Sequence, residues 1–97
     1  MNLYDRVKSV VSDYSEIAES DILGSNREEC VDARYILIGV LGDWLTDEEI
    51  SKLTGLTRAC ANKIRNGMRA RLSRFSFRCL YNSVVVAIKE WSEMNLQ

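Results

Sequence analysis

Between Cys30 and Leu45 the chain is apolar almost all round. Tyr35, Ile36, Leu37 and Ile38 run consecutively, and Val40, Leu41, Trp44 and Leu45 continue the stripe. A helix without a polar face has to be covered on most sides by other elements, so this segment predicts a central core helix with the rest of the chain wrapped round it. A strand competes over residues 35–40, but the length of the segment and the spacing of Ala33 and Leu41 favour a helix. Gly39 and Gly42 would cost such a helix about 1 kcal/mol each relative to Ala. They make sense where a second helix crosses close by. Arg34 and Asp43, on or near the same segment, read as structural partners or surface groups.

The flanks supply the covering helices. Leu3, Val7, Val10, Val11 and Tyr14 recur at helical spacing and predict an amphipathic helix over residues 2–15. Ser20 and Asp21 read as the cap of one short turn through Ile22 and Leu23, stopped by Gly24. Gly24, Ser25, Asn26 and Arg27 form a polar loop, either a plain connector or a phosphate or minor-groove contact. Near the other end Phe77, Leu80, Tyr81, Val84, Val85, Ile88 and Trp91 are spaced by three and four, which predicts a last helix over about 77–93. Ser73 and Ser76 mark its junction with the preceding helix. No linker, repeat or low-complexity tract divides the chain, and proline is absent. The expectation is one all-α domain over residues 1–97, a compact bundle of about five helices.

Residues 46–72 carry the chemistry. Thr46 with Glu49 is a capping box, Ile50 and Leu53 give a short apolar edge, and Gly55 supplies a permissive turn. Thr57 then caps a second helix, with Leu56 tucked before it. On that helix Cys60, Ala61, Ile64, Gly67 and Met68 fall on one side. Arg58, Asn62, Arg65, Asn66 and Arg69 fall on the other. A capped short helix, a glycine turn and a helix with a basic-and-amide outer face have the pattern of a helix-turn-helix, whose second helix would lie in a DNA major groove. Arginine and asparagine are the side chains whose geometry suits guanine and adenine edges. No acidic residue interrupts residues 50–89, whereas a merely solvated helix mixes both signs.

Net charge is only −1, but its distribution is uneven. Residues 1–49 hold 12 Asp and Glu against 4 Lys and Arg, a net −8, while residues 50–97 hold 2 against 9, a net +7. Such asymmetry fits a domain with one basic and one acidic face. Cys30, Cys60 and Cys79 are odd in number and far apart, which suits reduced thiols; with no histidine, the common zinc patterns are missing and no cofactor is expected. The first residues lack the apolar stretch of a secretory signal and no run is long enough to span a bilayer, so the expected location is the cytoplasm, with no membrane contact.

Taken together, the elements resemble the C-terminal DNA-binding domain (domain IV) of the bacterial replication initiator DnaA, in the Trp-repressor-like helix-turn-helix group. Val11-Ser-Asp-Tyr14 followed by Ser20-Asp-Ile-Leu23 is similar to the family's V-A-x-Y-Y and S-x-x-D-L-L opening. Arg27-Glu28 with Val31-Asp-Ala-Arg34-Tyr-Ile is similar to its R-E-V-V-x-A-R-Q-I. Leu45-Thr46-Asp-Glu-Glu49-Ile50 is similar to L-x-x-S-L-P-E-I-G, and Phe77-Arg78 with Tyr81-Asn82 resembles the closing helix. The family's signature R-D-H-[ST]-T-V is here Leu56-Thr57-Arg58-Ala59-Cys60-Ala61, and its basic loop is thinned to Ser25-Asn26-Arg27. The resemblance therefore implies the fold and duplex DNA as ligand, but not the initiator's own sites. No G-x-x-x-x-G-K-[ST] is present. Residues 46–72 also match loosely the sigma-factor region that reads the −35 promoter element.

The expected function is a DNA-binding regulator of transcription, replication or a mobile element. Arg58, Asn62 and Arg65 would approach base edges, with Asn66 and Arg69 nearby. Lys52, Lys63, Arg27, Arg74 and Thr57 would hold phosphates. A single recognition helix binds weakly, so self-association or a larger nucleoprotein complex is expected, with Trp91, Met94 and Leu96 available for it. The alternative is a protein-interaction module that keeps the fold without DNA. An enzyme is not expected. Asp47-Glu48-Glu49 is the only tight carboxylate cluster, and the dipole of a helix start accounts for it; no small-molecule substrate is implied.

Overall fold

The computed structural model describes residues 2–95, so the expectation placed on Leu96 lies outside the described residues. The described residues form six helices: α1 (Leu3–Ser15), α2 (Glu19–Gly24), α3 (Glu28–Leu41), α4 (Asp47–Thr54), α5 (Arg58–Leu72) and α6 (Phe75–Asn95). Among the described residues there is no strand. The short turn anticipated after the first helix is long enough to count as α2, which brings the number from about five to six.

The apolar segment is the central element. α3 packs against α1, α2, α5 and α6, and Cys30, Ala33, Ile36, Leu37, Ile38, Val40 and Leu41 on it are all buried. Val7, Val10 and Val11 of α1, Ala61, Ile64 and Met68 of α5, and Phe77, Val84 and Ile88 of α6 complete the core with Ile17, Ile22 and Ile50. The Cα radius of gyration, 12.4 Å, is close to the roughly 12.5 Å expected of a compact chain of this length. No helix among the described residues is long and apolar enough to cross a membrane.

The helix ends explain the connections. Asn2 caps α1 by accepting from the Asp5 amide at 2.8 Å, and α1 stops at Glu16, whose φ is +61°. α2 begins after Ala18 with no side-chain cap, so Ser20 lies inside the helix rather than at its start. Arg34 closes the other end of α2. Its Nε donates to the Ile22 carbonyl at 2.9 Å and a terminal nitrogen donates to the Ser25 carbonyl at 2.5 Å, which satisfies carbonyls that the end of a helix leaves without partners.

Three residues assigned to apolar faces are exposed, among them Tyr14 of α1 at 53%. α3 ends at Leu41, and residues 42–45 turn away from it. Trp44 is therefore 42% exposed instead of extending the buried stripe. Leu53 is 43% exposed, and only Ile50 seats α4 in the core. Ser76 is likewise inside α6, which starts at Phe75.

The close crossing implied by Gly39 and Gly42 is present. A Cβ at Gly39 would lie 2.7 Å from Met68 Cε, and one at Gly42 would lie 2.7 Å from Arg65 Nε. Both neighbours belong to α5, so these two glycines are what let α5 lie against the C-terminal half of α3.

Candidate nucleic-acid interface

α4, the turn and α5 are held by a chain of local bonds. The Thr46 hydroxyl accepts from the Glu49 amide at 3.2 Å while the Glu49 carboxylate accepts from the Thr46 amide at 3.2 Å, a reciprocal capping box. Gly55 sits at φ +81°, a conformation that side-chain-bearing residues adopt at a cost of about 1–2 kcal/mol. Ser51 Oγ donates to the Leu56 carbonyl at 2.5 Å across the turn. Thr57 then caps α5, accepting from the Cys60 amide at 3.0 Å. Its hydroxyl hydrogen is left free to donate outward.

With Ala61, Ile64 and Met68 turned into the core, Arg58, Asn62, Lys63, Arg65, Asn66 and Arg69 are all exposed. They share the outer side of α5, and Lys52 on α4 is exposed beside them in sequence, paired with Glu48 at 3.7 Å. Arg27 and Arg74 form a separate group at the start of α3. Arg27 pairs with Asp21 at 3.5 Å and Glu29 at 3.3 Å, and Arg74 pairs with Asp32 at 2.6 Å and Glu28 at 3.8 Å. The ten candidate residues thus divide into an α4–α5 set of eight and a pair engaged with acids of α2 and α3.

Asp47, at the first position of α4, is the residue that spacing did not single out. Its carboxylate accepts from Arg65 through Oδ1 and from Asn62 Nδ2 through Oδ2, the latter at 3.1 Å. Asn66 Nδ2 donates in turn to Asn62 Oδ1 at 3.0 Å. On α5, Arg58, Lys63 and Arg69 are the cations with no ion-pair partner among the described residues. The basic half is therefore offset at Arg65 by an acid that the half-by-half charge division places in the other half. Nothing local in the sequence signals this contact, because Asp47 precedes Asn62 by 15 residues and Arg65 by 18.

Hydrogen bonds from Arg65 and then Asn62 hold the Asp47 carboxyl below the usual aspartate value, with the nearby Arg65 and Arg58 charges adding to the effect. The sign follows directly. A lowered folded-state value means that the contribution is fully present above the unfolded-state value and is lost as pH falls through the folded one. The contact is thus constant from neutral pH down to the ordinary carboxylate range and disappears only below it. Following the Asp47 side-chain carbon by NMR should give a midpoint below that of a free aspartate, and Arg65→Ala should move it back up. An unchanged midpoint in Arg65→Ala would show that the guanidinium is not its partner.

A second unanticipated hub is Asp32. Arg71 donates to it at 2.5 Å and Arg74 at 2.6 Å, and the Arg71 guanidinium lies 3.8 Å from the centre of the Tyr35 ring. This cluster ties the C-terminal turn of α5 and the start of α6 to α3. Beside α5, Gly42, Asp43, Asn62, Arg65, Asn66 and Tyr81 line a mainly polar cleft of about 320 Å³. Burial, and secondarily Asp43, pushes the Tyr81 phenol up, which keeps it neutral. No protein-family model matches the chain, and neither a curated protein nor a solved structure matches it.

Proposed function

We propose that the chain is a DNA-binding module of the helix-turn-helix kind, with α5 lying in the major groove, as the resemblance to the DnaA C-terminal domain implies. One observation carries this reading: α5 presents three arginines, one lysine and two asparagines outward while carrying no acidic residue of its own. Arg58 and Arg69, without ion-pair partners among the described residues, are suited to base edges or phosphates. Lys63 and the capped start of α5 suit phosphate, since helix amides and the positive end of the dipole favour an anion.

The ion pairs change the expected salt dependence. If only Arg58, Lys63 and Arg69 neutralise phosphates, log affinity falls with log salt at a slope of about −3; release of Arg65 from Asp47 and Lys52 from Glu48 would steepen it to about −4 to −5. Titrating a mixed-sequence duplex across a range of salt concentrations measures this. Undetectable binding at low salt removes the proposal, as does unchanged binding in the double variant Arg58→Ala, Arg65→Ala.

A second reading, a protein-interaction module that binds no DNA, is favoured by the same pairing, because Arg27, Arg65, Arg71 and Arg74 are already matched by acids of the chain itself. Capture of a partner protein that survives charge reversal at Arg58, Arg65 and Arg69 would select it. Transcriptional, replicative and mobile-element roles are all compatible with the DNA-binding reading; an unbiased oligonucleotide selection separates them.

A further inference from the structure

The geometry points to Asp47 as the residue that fixes which hydrogen-bonding pattern α5 offers to a base pair, so that it determines specificity without touching the base. This rests on the DNA-binding reading above and extends it. An ionised carboxylate can only accept hydrogen bonds. The Asn62 amide must therefore turn its nitrogen toward Asp47, as it does at 3.1 Å. Its oxygen is then aimed along the helix, where only a donor can meet it, and Asn66 supplies its own amide nitrogen at 3.0 Å.

The polarity is relayed across one turn of α5, from Asn62 to Asn66. Asn66 keeps a free Oδ1 acceptor and one free N–H in a set orientation, whereas an isolated asparagine could present either order. Adenine offers an acceptor and a donor side by side in the major groove, so a fixed amide distinguishes it from the reversed arrangement. Arg65 is held by the same carboxylate through one terminal nitrogen. It retains further N–H groups in a planar fork whose direction Asp47 sets. The carboxylate also repels phosphate, so Asp47 lowers affinity for every sequence while raising the difference between sequences.

The test uses the full chain and two duplexes, one enriched by the protein from a random pool and one scrambled from it. Asp47→Ala and Asp47→Ser should bind the scrambled duplex more tightly and reduce the ratio of the two affinities by about tenfold, the discrimination expected of one well-oriented contact. Glu48→Gln removes a neighbouring charge whose ion pair is with Lys52 on α4. It should tighten both duplexes and leave the ratio unchanged. Thermal melts establish that each variant is folded, and Asp47→Ser serves where Asp47→Ala is not.

If the ratio in the Asp47 variants stays within twofold of the parent, or moves only as in Glu48→Gln, Asp47 is a surface charge and the inference is overturned while DNA binding stands. If the parent chain binds neither duplex, the DNA reading itself fails and the inference falls with it.

Discussion

Removing Arg58 and Arg69 together lowers affinity for the selected duplex by about 2–6 kcal/mol, taking about 1–3 kcal/mol for each arginine at a base edge. The two effects should add. Eleven residues of α-helix separate the side chains by about 16 Å, beyond the range at which neighbouring substitutions couple. The informative comparison is Arg71→Ala. Arg71 lies on the same helix and carries the same charge, yet it is stacked on Tyr35 and bound to Asp32. It should therefore lower the melting temperature and leave DNA affinity nearly unchanged in the folded protein. Arg74→Ala, bound to Asp32 and Glu28, should also weaken DNA binding less than either Arg58→Ala or Arg69→Ala. Isothermal titration with each variant, scored beside its melt, checks the set. An equal loss of affinity at residues 58, 69 and 71 would mean that only total charge matters and that no particular face of α5 meets the duplex.

That contrast separates what a one-dimensional pattern can specify from what it cannot. Periodicity assigned the inward face of α5 because Ala61, Ile64 and Met68 recur at the pitch of the helix, and burial follows from that pitch. The same periodicity gave the outward row, since a side chain opposite a buried one is exposed. The caps of α4 and α5 were equally legible, because Thr46 with Glu49 and Thr57 with the Cys60 amide are contacts within one turn, whereas Ser20 and Ser76, read as caps, fall inside α2 and α6. Gly39 and Gly42 announced a crossing helix through the stability they would otherwise cost, although they did not say which helix crosses.

The ion pairs were illegible for a different reason. Asp47–Arg65 and Asp32–Arg71 join residues 18 and 39 positions apart. Neither distance corresponds to a repeat, and either acid could have faced solvent without changing any local signal. Charge counted by halves of the sequence misses this, since α3 and the start of α4 bring first-half acids against second-half arginines. The basic surface is consequently narrower than the tally of 9 against 2 suggests, and the candidate site contracts to the part of α5 that no acid among the described residues pairs with, together with the part that Asp47 orients.

The apolar segment 30–45 holds both a buried and an exposed large side chain, Leu37 and Trp44, and the pair gives the second large effect. Leu37 is wholly buried on the helix that touches α1, α2, α5 and α6, so Leu37→Ala removes apolar contacts and leaves a void that five packed helices cannot easily close. A loss of about 2–5 kcal/mol is expected, which for a chain of this size lowers the melting temperature by at least about 8 °C. Trp44 is the larger side chain and, by sequence alone, belongs to the same stripe. Because the turn after Leu41 places it at 42% exposure, beside Val40, Val85 and Ile88 at the rim of an apolar cleft, less of its surface leaves water on folding, and Trp44→Ala should cost at most about half as much, in proportion to the area buried. Chemical denaturation of both variants decides it. A Trp44→Ala loss equal to that of Leu37→Ala would require the 42–45 turn to be packed inside, and would restore the single buried stripe that the hydrophobic pattern describes.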